Sequence, residues 1–230
     1  MIVLVAHGTR DPAGPEVIEA LADGVRAGAP GVPVRVAYAD VRAPSVTDVL
    51  AAHRDEHAVV VPAFLAPGYH VRVDIPAQIV ASGHRSAVLT EAFGPAPELV
   101  AVLIERLRQG GYRPGDGVVL AAAGSSDHRA LVHVHDTAYA LGARLGTPVR
   151  IGYAATARPS VAEAVASLRD TLPGVRVAVA SWLLAPGLFQ RKLDDAGADV
   201  AANPLGAHPR VVDLILRRYH AAAQGMATAA

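Results

Sequence analysis

A tandem repeat is the feature of this sequence that most restricts its fold. Several short motifs of the first half recur in the same order in the second half, and the first three of them have identical spacing. The first-half motifs are Pro33-Val34-Arg35, Tyr38-Ala39, Pro44-Ser45-Val46 and Ala66-Pro67-Gly68, and their counterparts are Pro148-Val149-Arg150, Tyr153-Ala154, Pro159-Ser160-Val161 and Ala185-Pro186-Gly187. The chain is therefore predicted to contain two copies of one folding pattern.

Each copy alternates short β-branched runs with longer segments of helical periodicity. The predicted strands are residues 2–6, 34–39, 58–64 and 86–90 in the first copy, and 118–122, 149–154, 175–181 and 198–201 in the second. Near-continuous apolar strands separated by helices are typical of a parallel sheet covered on both faces. We predict an α/β protein of two tandem βα domains, 1–112 and 113–230, each a four-stranded mostly parallel sheet flanked by helices.

The two copies differ in polarity at positions that follow predicted strands. Core positions stay apolar in both copies for packing reasons, so a polar residue present in one copy alone is a candidate for chemistry. Three such differences are His7 opposite Ala123, Asp40 opposite Ala155, and His70 opposite Phe189 when the Ala-Pro-Gly motifs are aligned. The carboxyl ends of parallel strands form the edge where open α/β sheets bind ligands, so these side chains are predicted to converge.

Two imidazoles and one carboxylate suit Fe(II), Co(II), Ni(II) or Zn(II) and leave coordination positions open. The chain has no cysteine, so any metal must be held by His, Asp or Glu. Each residue alone also has a structural interpretation: His7 as a turn residue, Asp40 as a helix cap, and His70 as a loop residue packed on the sheet. The joint pattern favours a functional site.

Other histidines are weaker candidates. His128 follows Ser126 in the counterpart of the His7 loop and is a candidate for the same cleft. His53 and His57 have a spacing that can bind metal, but their charged neighbours favour a solvated helix end. His133 and His135 are two apart on a predicted helix and so point to different faces.

Charge and hydropathy exclude several classes of protein. The 21 basic and 21 acidic side chains give a formal net charge of zero, which argues against a broad phosphate-binding or membrane-binding face. No apolar stretch is long enough to cross a bilayer, and no basic region precedes the first apolar run. We therefore expect a soluble cytoplasmic protein with no nucleic-acid or membrane partner.

Three motifs carry a resemblance to a known family. They are Val5-Ala6-His7-Gly8-Thr9-Arg10-Asp11-Pro12, Tyr38-Ala39-Asp40 with Pro44-Ser45, and Pro67-Gly68-Tyr69-His70-Val71-Arg72-Val73-Asp74-Ile75-Pro76. Together they resemble the sirohydrochlorin chelatases of the class II tetrapyrrole chelatase superfamily. The resemblance spans nearly the whole chain, and the third motif is the most specific of the three.

The resemblance implies insertion of a divalent metal into sirohydrochlorin without ATP, with Fe²⁺ favoured and Co²⁺ next, for sirohaem or cobalamin synthesis. His7 and His70 occupy the positions of the metal-binding histidines, and Asp40 occupies that of an acidic residue that is usually Glu. The metal is a substrate, and no permanently bound cofactor is expected. Arg10, Arg72 and His128 are candidates to contact the tetrapyrrole, whose carboxylates require basic partners.

This chain resembles the long form of the family, in which two fused halves replace a dimer. The N-terminal half is expected to be active, and the C-terminal half to form the opposite wall of the cleft. A chain that already contains both halves has less need to associate, so we expect a monomer.

Two other functions remain open. The same residues could serve a non-catalytic carrier of metal or tetrapyrrole. A His-Gly-Thr segment after a first strand also occurs in phosphoryl-transfer enzymes, where His7 would accept the phosphoryl group. Those enzymes need an Arg directly before the histidine, and this chain has Ala6 there. No glycine-rich loop of the nucleotide-binding type is present in the sequence.

Overall fold

A computed structural model describes residues 1–228 and divides the chain into two compact units. The first unit comprises Met1–Phe93 together with the C-terminal segment from Ala207, and the second comprises Gly94–Gly206. Each unit contains one four-stranded parallel sheet with helices packed against it. The predicted fold class is confirmed.

In the first unit the strand order is β2-β1-β3-β4, and neighbouring strands are all parallel. The strands are β1 (Ile2–Ala6), β2 (Val34–Tyr38), β3 (Ala58–Pro62) and β4 (Ala87–Leu89). The helices are α1 (Ala13–Gly28), α2 (Val46–Ala52), a π-helical turn (His70–Asp74), α3 (Ile75–Ser82) and α8 (Pro209–Thr228). β1 and β3 are buried along their whole length, which explains their uninterrupted apolar sequence.

The second unit repeats this architecture with the order β6-β5-β7-β8. Its strands are β5 (Gly117–Ala122), β6 (Val149–Tyr153), β7 (Val177–Trp182) and β8 (Val200–Ala201). Its helices are α4 (Pro97–Gln109), α5 (His128–Leu145), α6 (Val161–Thr171) and α7 (Leu188–Asp194). β5 and β7 are fully buried, as β1 and β3 are.

The last helix of each sequence repeat packs in the other unit. α4 lies in the first repeat but contacts β7 and α5, and Arg106 Nη2 donates to the carbonyl of Leu205 at 3.0 Å. α8 lies in the second repeat but contacts α1 and β3. Gly24 gives Val212 room at this contact, because a Cβ at Gly24 would lie 2.7 Å from the Val212 side chain. The ranges 1–112 and 113–230 thus describe the sequence repeats, whereas the compact units exchange their terminal helices.

The turns after β2 and β6 have the same local structure. Both contain a cis X-Pro bond, Ala43–Pro44 in one and Arg158–Pro159 in the other. Both lead into a helix that begins with a reciprocal capping box, formed by Ser45 with Asp48 and by Ser160 with Glu163. These capping boxes satisfy backbone N–H groups that would otherwise lack partners at each helix start. The duplication read from the sequence therefore extends to backbone geometry.

Candidate functional site: a histidine pair at the carboxyl edge of the first sheet

His7 directly follows the buried strand β1 and is itself exposed. Its Nδ1 lies 3.0 Å from the carbonyl oxygen of Gly8. Since a carbonyl oxygen can only accept a hydrogen bond, Nδ1 must carry the proton in this contact. The Nε2 atom of the neutral ring then keeps its lone pair, which is the form in which imidazole binds metals.

His70 opens the π-helical turn that leads into α3. The N–H of Ile75 donates to the carbonyl of His70, five residues back, which defines this wider turn. Such turns occur frequently at functional sites in proteins. The sequence placed His70 in a loop, whereas the structure fixes it in a turn that continues into a helix without a break.

The two imidazole rings lie against each other. Their centroids are 4.4 Å apart, and the ring planes cross at 75°. Phe64 lies beside the pair, with its ring centroid 6.2 Å from each of the two imidazoles. The structure therefore brings His7 and His70 together, beside an apolar ring.

The backbone of Asp40 lies next to the backbone of His7. Its N–H donates to the carbonyl of His7 at 3.0 Å, and its Oδ1 accepts a hydrogen bond from the N–H of Val41 at 2.7 Å. Within residues 1–228, no group of three or more His, Asp or Glu side chains is arranged to hold a metal ion. The structure thus brings two of the three predicted ligands together, and metal ligation by the Asp40 carboxylate stays a prediction.

Gln78 on α3 connects the segments that carry the predicted site. Its Nε2 donates to the carbonyl of Ala39 at 2.8 Å, and its Oε1 accepts from the N–H of Val46 at 3.0 Å. One side chain thereby ties α3, which continues from the His70 turn, to the loop that carries Asp40. This role of Gln78 was not predicted from the sequence, although a lone amide side chain among the apolar residues of α3 was a signal.

The predicted substrate contacts lie in different units. Arg10 and Arg72 are exposed residues of the first unit, and Arg72 belongs to the same π-helical turn as His70. His128 is the exposed first residue of α5 in the second unit. A contact of these three side chains with a tetrapyrrole stays a prediction.

Two of the weaker histidine candidates, His53 and His133, have structural partners. His53 Nδ1 lies 3.0 Å from Glu56 Oε1 at the end of α2, and His133 Nδ1 lies 2.9 Å from the carbonyl oxygen of Gly94. Ala58 follows shortly after and begins β3, so the His53 pair lies near the amino edge of the sheet, opposite the edge that carries His7.

The equivalent edge of the second unit has no histidine pair. Ala123 and Phe189 stand in the two positions, and Lys192 lies with Nζ 5.8 Å from the centre of the Phe189 ring. Its Nζ also donates to the carbonyl of Ala154 at 3.0 Å. A protonated amine offers no lone pair to a metal, so these two positions of the second unit lack the imidazoles of the first, and metal binding by the first unit stays a prediction.

The sequence profile of the CbiX family matches residues 1–110 and again residues 117–222. The chain belongs to the CbiX family. Its resemblance to the sirohydrochlorin chelatases is thereby confirmed, and the twofold match confirms the internal duplication. No helix within residues 1–228 is long and apolar enough to cross a membrane.

Three comparisons place this CbiX-family chain among known proteins. A sirohydrochlorin cobaltochelatase of Methanothermobacter thermautotrophicus is 33% identical in an alignment of 129 residues that covers 46% of this chain and 90% of that protein. SirB from Bacillus subtilis with Fe³⁺ shares the fold, with a TM-score of 0.81 and 23% identity over 95% of this chain and 93% of that one. The structure of CbiX described as the terminal enzyme of siroheme biosynthesis in denitrifying bacteria has a TM-score of 0.72 and 26% identity, covering 96% and 98%.

Proposed function

We propose that this protein inserts a divalent metal ion into sirohydrochlorin without ATP. The observation that carries the proposal is the His7–His70 pair, with ring centroids 4.4 Å apart at the carboxyl edge of the first sheet. The name of the cobaltochelatase relative and the CbiX family match support the substrate. The matched relative covers only 46% of this chain, which is consistent with one active repeat in a duplicated protein.

The reaction requires a site that both holds a metal and accepts protons. The metal must lose bound water, and the macrocycle must release two pyrrole N–H protons before its nitrogens can bind. Neutral imidazoles can perform both tasks, because Nε2 binds a divalent metal or accepts a proton. In our proposal His7 and His70 receive the metal, and each imidazole takes one of the two pyrrole protons as the metal passes to the macrocycle.

The remaining predicted residues have supporting roles in this proposal. The Asp40 carboxylate lies on the loop beside His7, where it offsets the charge of the incoming cation or becomes a third ligand. Arg10, Arg72 and His128 contact the peripheral carboxylates of the substrate, which are anions that guanidinium groups bind well. The protein acts as a monomer.

We infer that Fe²⁺ is the physiological metal, with Co²⁺ as the next candidate. Imidazole and carboxylate ligands bind both ions, and metal supply often decides which one a site receives. The role of one solved CbiX, described as the terminal enzyme of siroheme biosynthesis, supports iron, and the name of the cobaltochelatase relative supports cobalt. Sirohaem or cobalamin synthesis is the corresponding pathway.

The test is an anaerobic absorbance assay of sirohydrochlorin with Fe²⁺, Co²⁺ or Ni²⁺, each measured with and without the purified protein. The proposal predicts faster metallation than in the protein-free control, and the largest kcat/KM for Fe²⁺. Tight binding of metal or tetrapyrrole with no acceleration for any ion would contradict it and would indicate a carrier.

A further inference from the structure

Asp74 contacts the Nδ1 nitrogen of the His70 ring. Its Oδ2 lies 2.5 Å from His70 Nδ1, and the two side chains are 28% and 26% exposed. Nδ1 is a buried atom with no regularly aligned hydrogen-bond partner within residues 1–228. The carboxylate therefore faces Nδ1 at close range, where its negative charge favours a proton on that nitrogen.

The Asp74 side chain does not cap the helix that follows it. It lies where the π-helical turn passes into α3, and its side chain makes no capping hydrogen bond to that helix. Aspartate near a helix start ordinarily accepts a hydrogen bond from a backbone N–H, which stabilises the helix. Here the carboxylate lies against the imidazole four residues earlier instead.

The second repeat supplies an internal comparison. With the Ala-Pro-Gly motifs aligned, Phe189 replaces His70 and Leu193 replaces Asp74. Leu193 is fully buried in the apolar core of its unit. The second unit thus lacks both the imidazole and the carboxylate, and the position of Asp74 is used there for apolar packing. The imidazole and the carboxylate therefore occur together in the first unit and are both missing from the second.

We propose that Asp74 is the positioning residue of His70. Its carboxylate keeps the proton on Nδ1 and fixes the ring, so that Nε2 is presented beside His7 to an incoming divalent metal. A carboxylate behind a metal-binding histidine orients the ring and strengthens its bond to the metal. The inference rests on the proposed metal-binding role of His70 and adds Asp74 as the residue that orients its ring for metal binding.

The test compares Asp74→Asn and Asp74→Glu with wild-type protein in Co²⁺ titrations without tetrapyrrole, followed by visible absorbance. Loss of a carboxylate behind a ligand typically weakens metal binding about 10- to 100-fold, which is the result expected for Asp74→Asn. Asp74→Glu keeps the charge and should recover part of the affinity. Glu56→Gln is the matched control, since Glu56 lies 3.0 Å from His53 in a similar pair and should leave Co²⁺ affinity unchanged.

A second readout follows the ring itself. Long-range ¹H–¹⁵N spectra of imidazoles distinguish a proton on Nδ1 from one on Nε2. The wild-type His70 signal, assigned by its loss in His70→Ala, should show the proton on Nδ1, and Asp74→Asn should show a mixture of the two tautomers. A merely structural role for Asp74 would leave the tautomer unchanged.

The inference is overturned if Asp74→Asn binds Co²⁺ as wild type does and keeps its tautomer. If Asp74→Asn does not fold, Asp74→Ser, which also removes the carboxylate, carries the test: wild-type Co²⁺ affinity and an unchanged His70 tautomer in that variant would contradict the inference. If wild-type protein binds no Co²⁺ and metallates no sirohydrochlorin, the proposed function fails. The tautomer comparison still decides whether Asp74 controls His70 in that case.

Discussion

Replacing Gly8 with alanine should damage both stability and the histidine pair. Gly8 has a φ of +91°, and a Cβ at this position would overlap the carbonyl oxygen of Asp40, far inside the 3.0 Å limit of real Cβ contacts. A left-handed backbone costs a non-glycine residue about 1–2 kcal/mol. Forcing a group into a packed site costs about 1–3 kcal/mol more. We expect Gly8→Ala to lower the free energy of unfolding by about 2–5 kcal/mol.

Substitutions at two other glycines separate the backbone cost from the cost of the overlap. Gly31 has a φ of +84° with nothing within 4 Å of an added Cβ, so Gly31→Ala should cost only the backbone part, about 1–2 kcal/mol. Gly124 is the counterpart of Gly8 in the second unit, with a φ of +93° and the same overlap against the Ala155 carbonyl. Gly124→Ala should therefore cost as much stability as Gly8→Ala, while leaving the first unit's histidines in place.

Urea unfolding followed by circular dichroism gives the three free-energy changes, and Co²⁺ titration gives the effect on the site. Gly8→Ala should weaken Co²⁺ binding at least about tenfold, because the displaced loop carries His7, whereas Gly124→Ala should not weaken it. The reasoning is refuted if Gly8→Ala is as stable as Gly31→Ala. It is also refuted if Gly124→Ala weakens Co²⁺ binding as much as Gly8→Ala does.

Two further predictions concern the fold. Leu107 on α4 and Leu214 on α8 are fully buried, so truncation of either to alanine should cost about 2–5 kcal/mol. Hydrogen exchange should show loss of protection in β7 for Leu107→Ala and in β3 for Leu214→Ala, and the reverse would contradict the helix exchange. The Ser160 backbone N–H, together with Arg158, lowers the pKa of Glu163 from its ordinary value of 4.5 to about 2. The ionised carboxylate therefore stabilises the fold fully above pH 4.5, and this stabilisation is lost as the pH falls through about 2. The stability difference between wild type and Glu163→Gln, measured in urea from pH 6 downward, should hold to about pH 4.5 and then shrink; a constant difference down to pH 2 would contradict this pKa.

The sequence was sufficient to predict the repeated parallel sheets and the approach of His7 to His70. Strand periodicity and the repeat determine which residues end each strand, and parallel strands bring those ends to one edge. The strand bounds were close: residues 58–64 were predicted, and the strand is Ala58–Pro62. These features follow from short-range patterns, which a single sequence displays directly.

The exchange of α4 and α8 could not be predicted in this way. Both helices have an apolar stripe, and an apolar stripe by itself does not specify which sheet it covers. Only the particular contacts, such as Val212 against Gly24 and Arg106 with Leu205, decide between the two arrangements. The repeats consequently end at different places from the compact units.

The side-chain contacts around the two histidines also could not be predicted from the sequence pattern. Asp74 was visible as part of a motif, but its contact with His70 depends on the π-helical turn, which has no simple periodic signal. The orientation of the Asp40 side chain depends on the hydrogen bond that its Oδ1 accepts from the N–H of Val41. The spacing of residues in the sequence does not predict this orientation. Short-range polar geometry therefore had to come from the structure.

The most direct test of the account is the rate of sirohydrochlorin metallation by His7→Ala, His70→Ala and wild-type protein under anaerobic conditions. The account predicts acceleration by wild type, near-background rates for both variants, and unchanged circular dichroism. His53→Ala, which alters a histidine outside the pair, should retain the wild-type rate. Full activity of His7→Ala or His70→Ala would show that the histidine pair is not the metal-handling site.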